Sequence, residues 1–260
     1  MTLALTGAAT RPLDPVNAVL AALRGESPAG TFGVHDGLVV DDPDGWFPAA
    51  ALIDGTELDT LVGYPVRTWG AAPHAAAALA YKQYTYWLAM PAVLGWATAR
   101  RVPLLTADNV LVRVAGAMPL VTIGLRTASV AVRADDPLAG APGTVVVDDL
   151  LGALRDSLLD NHVTPLVAAT RQRVRIGAHT LYGQLAASVG YVLTAAEAAL
   201  LDPPEEAAAT ALAALGLADL AAVHPADGAC SVRRNTCCLA FVVEGLGRTV
   251  CGDCCINRAR

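Results

Sequence analysis

The chain has 260 residues, 54% of them hydrophobic and 16% charged, which excludes a disordered polymer and leaves ample length for a buried core. Its net charge is −6, yet Arg233, Arg234, Arg248, Arg258 and Arg260 face only Glu244 and Asp253 near the end. A basic tail thus follows an acidic body, and that body argues against general nucleic-acid binding.

No apolar run reaches the roughly 18 residues of a membrane helix. Val114–Leu125 and Ala89–Ala99 come nearest, and both carry Gly or Pro. No integral membrane segment is expected. The first residues, Met-Thr-Leu-Ala-Leu-Thr-Gly, lack a basic stretch, so no secretory signal is expected either. The expectation is a soluble cytoplasmic protein, with a mean hydropathy of +0.46 that allows weak association with the inner membrane surface. Lys82 is the lone lysine beside many arginines, a compositional bias that carries no function by itself.

In chain order, alternation of apolar and polar residues predicts strands near Phe32–Val40, Val110–Val114, Leu120–Leu125 and Ser129–Arg133. A long helix is expected over about Ala72–Ala99, with a kink at Pro91. Asp135-Asp136-Pro137 and Gly140–Gly143 read as a linker. Asp148-Asp149 suits a helix start, and Val147, Leu150, Leu151, Leu154 and Leu158 recur at helical spacing. Thr164-Pro165 predicts a fresh helix with Thr as N-cap, and Thr194–Glu197 fits a capping box. Pro203–Glu206 opens a further helix that Gly216 can close. The fold class expected is α+β, predominantly helical. It divides into an N-terminal α+β part with an antiparallel sheet over 1–140, a helical part over 141–228 and a cysteine-rich segment over 229–260.

Arg67, Tyr81, Lys82, Tyr84 and Trp87, with Trp69 and Tyr86, cluster on or near the long helix. They could line a ligand pocket, and core or boundary packing is the weightier alternative. His35, His74, His162, His179 and His224 show no ligand spacing and read as structural. Arg171, Arg173 and Arg175 read as a solvated face, with an acidic electron-donor protein as the other possibility.

All 6 cysteines lie near the end: Cys230, Cys237, Cys238, Cys251, Cys254 and Cys255. Clustered thiols in a cytosolic chain bind metal or do redox work more often than they form disulfides. Four thiolates could hold zinc or an iron–sulfur cluster. Zinc knuckles come in pairs, and only Cys251–Cys254 is such a pair. Adjacent Cys237-Cys238 point apart, which suits a two-iron cluster better than one tetrahedral ion. Spacing alone says a metal site that is not a zinc ribbon.

The segment Arg233-Arg234-Asn-Thr-Cys237-Cys238 … Cys251-Gly-Asp-Cys254 resembles the C-terminal signature of the FhuF-like ferric-siderophore reductases. Leu181-Tyr182-Gly183-Gln184 resembles that family's Leu-Trp-Gly-Asn stretch, with Tyr and Gln in place of Trp and Asn. The spacer Leu239–Val250 is longer than the family's usual one, and a hairpin at Gly245–Gly247 could absorb the excess. The resemblance implies a [2Fe–2S] cluster on Cys237, Cys238, Cys251 and Cys254, with Cys255 as an alternative to Cys254 and Cys230 unassigned. It implies transfer of one electron to iron(III) in a ferric siderophore, of hydroxamate type by preference. An electron-donor protein such as a ferredoxin or flavin reductase would be the partner. The alternatives are a structural zinc module held by four cysteines and an iron–sulfur carrier for another acceptor.

Overall fold

The computed structural model describes residues 11–115, 119–226, 229–247, 250 and 253–256. Helix α1 (Asp14–Glu26) has Pro15 in its first turn and buries Val16 and Leu20. Strand β1 (Val34–Val39), strand β2 (Phe47–Pro48) and the short α2 (Ala50–Ile53) lead to α3 (Leu58–Trp69), which Gly70 ends in the left-handed conformation. Helix α4 (Pro73–Ala99) is the predicted long helix, and Pro91 lies inside it without dividing it. It is apolar on nearly every face, as befits a helix enclosed by the rest of the fold.

Strands β3 (Val102–Pro103), β4 (Val110–Val114), β5 (Val121–Leu125), β6 (Val130–Val132) and β7 (Thr144–Val146) follow. One sheet has the order β1-β5-β4-β2 and another the order β3-β6-β7. The expected antiparallel sheet is therefore mixed: β1 runs parallel to β5, and β6 to β7, while the other pairs are antiparallel. The expected linker is fastened rather than loose, because Asp136 takes two hydrogen bonds from the Arg101 guanidinium at 2.7 and 3.0 Å.

Helix α5 (Leu150–Leu154) is capped by Asp149, whose carboxylate accepts from Leu151 N–H at 2.9 Å. It runs without a break through a π-helical stretch, Arg155–Val163, into α6 (Thr164–Arg173). Thr164 is thus no N-cap. The preceding turn is already helical, so there is no free end to cap, and its hydroxyl instead accepts from Tyr182 Oη at 3.3 Å. Helix α7 (Ala178–Ala195) ends where a capping box was expected. Thr194 Oγ1 donates back to the Tyr191 carbonyl at 3.1 Å, closing one helix instead of opening another. Helix α8 (Pro204–Ala214) begins and ends as predicted, with Gly216 left-handed beyond it. The second half is not purely helical: β8 (Ala221–Ala226) and β9 (Ala229–Arg234) form an antiparallel hairpin.

The main core joins residues from Leu13 to Val232 and has α4 and α7 at its centre. Thr85 Oγ1 and Ser188 Oγ meet across these helices at 3.0 Å, and each hydroxyl also bonds the carbonyl four residues back. Ala71, Ala75, Ala76, Leu79 and Val243 form a separate small core where the last segment crosses the α3–α4 elbow. Among the described residues no helix is long and apolar enough to cross a membrane.

His162, in the π-helical stretch, is fully buried. Its Nδ1 donates to the Leu105 carbonyl at 2.6 Å, so its Nε2 accepts from Tyr84 Oη at 2.6 Å. Burial holds its pKa down at about 4. The folded chain keeps the ring neutral where the unfolded chain takes up a proton, so stability is complete above about pH 6.5. It falls as the pH drops from there towards 4. Urea unfolding across that range is expected to lose up to about 3 kcal/mol from this group. His162→Gln should lower stability at neutral pH and flatten this part of the profile. An unchanged slope would place the titration elsewhere.

Candidate functional site

The last turn of the fold is laid on helix α7, and α7 is shaped to receive it. A side chain at Gly183 would lie 2.6 Å from Thr236 Cβ, so only glycine lets the chain pass this close. Beside it on the same helix, Gln184 is 1% exposed and uses both ends of its amide. Its Nε2 donates to Thr180 O at 3.1 Å and, more weakly, to Cys237 O at 3.4 Å. Its Oε1 accepts from Arg234 Nη2 at 2.6 Å. The Tyr182-Gly183-Gln184 stretch is therefore the seat of the cysteine segment.

Cys237, Cys238, Cys254 and Cys255 all carry free thiols, and Cys238 and Cys254 are buried. Leu239 stands in the left-handed region, uncommon for a residue with a branched side chain. That conformation aims its N–H at Cys237 Sγ, 3.3 Å away. The Cys255 thiol reaches both Cys237 and Cys254, and its pKa is raised, first by burial and then by those two sulfurs. Cys237, Cys254 and Cys255 are thus brought together, although no group of three or more His, Cys, Asp or Glu is poised around one ion among the described residues. Cys251 lies outside the described residues. With sulfur the shared donor and a backbone N–H already directed at one sulfur, the segment suits a soft, thiolate-held metal group, zinc or iron–sulfur, better than a hard cation.

Cys230 belongs elsewhere. It sits on β9 beside α8, 3.7 Å from Glu205 Oε2, and its thiol is pushed up by burial and by the Glu197 and Glu205 carboxylates. Acidic neighbours disfavour the thiolate that a metal ligand needs. Among the described residues, the spacer after Cys238 shows no hairpin. It makes two 3₁₀ turns, Ala240–Val242 and Glu244–Leu246, and Gly245 rests on the Trp69 backbone at the α3–α4 elbow.

A cavity of about 450 Å³ opens beside this seat, between α4, α7 and β9. Lys82, Tyr86, Trp87, Gln184, Ser188 and Arg234 are among its walls. Of the residues predicted for a pocket, Lys82, Tyr86 and Trp87 line it. Tyr81 and Tyr84 are wholly buried and turn into the core, where their hydroxyls meet Thr170 Oγ1 at 2.9 Å and His162 Nε2 at 2.6 Å. Burial raises the pKa of both phenols. Arg67 lines a different groove, between α3 and Arg173. Within the same turns of α4 the side chains divide by face: Tyr81, Tyr84 and Thr85 point inward, and Lys82 and Tyr86 face the cavity.

Arg234 is the wall residue that sequence reasoning noted only as a basic neighbour of the cysteines. Its signal was parity. Val232 and Arg234 alternate with exposed Ser231 and Arg233, so both point inward once β9 is seen as a strand.

The close approach at Gly183 gives a prediction with an unusual sign. In an ordinary helix interior Gly→Ala stabilises by about 1 kcal/mol. Here Gly183→Ala should destabilise by about 1–3 kcal/mol in urea unfolding, because Thr236 must be displaced. Thr236→Gly in the same chain should recover most of that loss. A Gly183→Ala protein more stable than its parent would show that the seat is not tightly closed.

Solved structures that resemble the chain include two of aerobactin synthetase IucA from a hypervirulent pathotype of Klebsiella pneumoniae. One is 20% identical over 73% of this chain, with a TM-score of 0.49, and the ATP-bound form is 19% identical over 74%, with a TM-score of 0.46. The chain spans 42% of the length of either. No curated protein matches it. A family model described as ferric iron reductase FhuF-like transporter matches residues 81–232, from the start of α4's cavity face to β9, and stops short of the cysteine pair. That match covers more than half of the sequence, and the chain belongs to the FhuF-like ferric iron reductase family.

Proposed function

We propose that this protein takes a ferric siderophore, of hydroxamate type, into the cavity between α4, α7 and β9 and passes one electron to its iron(III). Iron(II) is a softer ion that hard siderophore oxygens hold less tightly, so reduction lets other ligands draw the metal away. One observation carries the reading. Gln184 and Arg234 are at once walls of the cavity and supports of the cysteine segment, so a chelate bound there lies against the thiol-bearing chain.

In this reading Cys237, Cys238, Cys251 and Cys254 hold a [2Fe–2S] cluster, which supplies a store for one electron at a time. Leu239 N–H stabilises negative charge on the Cys237 sulfur, and Gln184 fixes the Cys237 carbonyl so that the pair keeps its direction. Trp87 and Tyr86, packed edge to face with centroids 4.7 Å apart, give the cavity a stiff apolar side against a chelate's hydrocarbon arms. The electron comes from a donor protein such as a ferredoxin or flavin reductase. The work is placed in the cytoplasm, on the inner membrane surface or free of it. No proton needs to be abstracted, so the chemistry asks for no general base.

Metal analysis of anaerobically isolated protein tests the cofactor. About two irons and two acid-labile sulfides per chain are expected. Stoichiometric zinc without sulfide would favour the structural four-cysteine module. Serine at Cys237, Cys238, Cys251 or Cys254 should abolish or strongly alter the cluster spectrum, and Cys230→Ser should leave it unchanged. Loss of the cluster in Cys255→Ser with retention in Cys254→Ser would exchange those two ligands, an outcome the contact of Cys255 with Cys237 makes worth checking.

A single-turnover mixture tests the activity. Reduced protein should be reoxidised by a ferric siderophore, more completely with an iron(II) chelator present, and not by the iron-free siderophore. Reduced protein that no ferric siderophore reoxidises would leave an electron carrier for another acceptor as the better reading.

A further inference from the structure

Arg234 is 1% exposed, yet it has no carboxylate partner among the described residues. Its one side-chain hydrogen bond goes to the neutral Gln184 amide, and Nε and Nη1 are buried without an acceptor. A buried guanidinium is always charged, and leaving it unpaired costs several kcal/mol, so such groups are kept where an anion completes them. The cavity it lines points the same way. Lys82 is the second cation on that wall, and no Asp or Glu lines the space among the described residues. Trp87 Nε1 is a further buried donor there without a partner. On this wall the unmet groups are donors, and the charge is positive.

We infer that the cavity selects ferric chelates of net negative charge, hydroxamates that also carry a carboxylate, with Arg234 as the residue that recognises the anionic oxygens and Lys82 as its partly exposed assistant. The inference rests on the reading that this cavity receives the siderophore, and it narrows the substrate class. A neutral trihydroxamate complex would leave Arg234 buried and uncompensated. A carboxylate-bearing complex supplies the missing counter-charge and accepts charge-assisted hydrogen bonds from the guanidinium. Discrimination then comes from the cost imposed on the wrong ligand as much as from attraction to the right one.

Gallium(III) complexes match the charge and shape of the ferric ones and accept no electron, so binding can be read apart from redox. Calorimetric titration should compare the gallium complex of a neutral trihydroxamate with that of a dihydroxamate bearing one α-hydroxycarboxylate arm. The carboxylate-bearing complex is expected to bind about tenfold tighter or more, the size of one charge-assisted hydrogen bond. Arg234→Gln should erase that preference, bringing the two affinities within about twofold of each other. Lys82→Gln, at a partly exposed position that tolerates substitution, should reduce the preference and so guards against an Arg234 variant that fails to fold. Equal affinity of the parent for both complexes would overturn the inference and assign the counter-charge of Arg234 to the thiol side, leaving the cavity as the substrate's place. A preference that survives both substitutions would overturn it too. Binding of neither complex would overturn the cavity reading along with it.

Discussion

Gln184 is the joint on which the functional end of this molecule depends. A single neutral amide, closed off from water, holds a carbonyl of the cysteine segment with one end and a buried cation with the other. No acidic residue or lysine could do both. A carboxylate could take the guanidinium but not donate to Cys237 O, and a lysine could do the reverse. The amide leaves the charge of Arg234 unneutralised, which a glutamate in the same place would not. Gly183 beside it makes the arrangement possible, since the segment bearing Thr236 can come down onto α7 only where there is no side chain. Two adjacent residues on one helix thus set both the position of the thiols and the charge of the cavity next to them.

Everything beneath that joint is a rigid platform. Helices α4 and α7 cross through small residues, and their polar contact, Thr85 to Ser188, is satisfied on both sides by back-bonding within each helix. On the same inner side, Tyr81 and Tyr84 anchor α4 to Thr170 and His162. A helix held on its inner face by two hydrogen-bonded phenols cannot roll, so Lys82, Tyr86 and Trp87 keep their places on the outer face. The sheets β1-β5-β4-β2 and β3-β6-β7, by contrast, help complete the body's core.

How much of this could be read from the sequence follows from the range of each signal. The long helix and the strands around Val110–Val114 and Val121–Leu125 were legible because periodicity is local. The run into α6 was not: Thr164-Pro165 has the composition of a helix start, and only the preceding π-helical turn, held by long-range packing, removes the need for one. Thr194–Glu197 misled in the same way, because a threonine that caps a beginning and one that closes an end look alike in sequence. The aromatic cluster was correctly located on α4, but a helix buried on almost every side gives no polar face to show which aromatics look outward. The hairpin β8–β9 was missed because alanine-rich strands alternate weakly, and the inward direction of Arg234 went with it. The cysteine spacing and the Gly183-Gln184 pair stood out in sequence, while their mutual contact needed the fold.

The small core at the α3–α4 elbow has a consequence for assembly. It seats the Leu239–Leu246 strap on apolar residues separate from the main core, and a segment packed on such a satellite cluster opens at lower free energy than the body it rests on. The strap can therefore lift while α4, α7 and the sheets stay folded. In the proposed reading, the body folds without iron and sulfide, and the thiol segment takes them up afterwards.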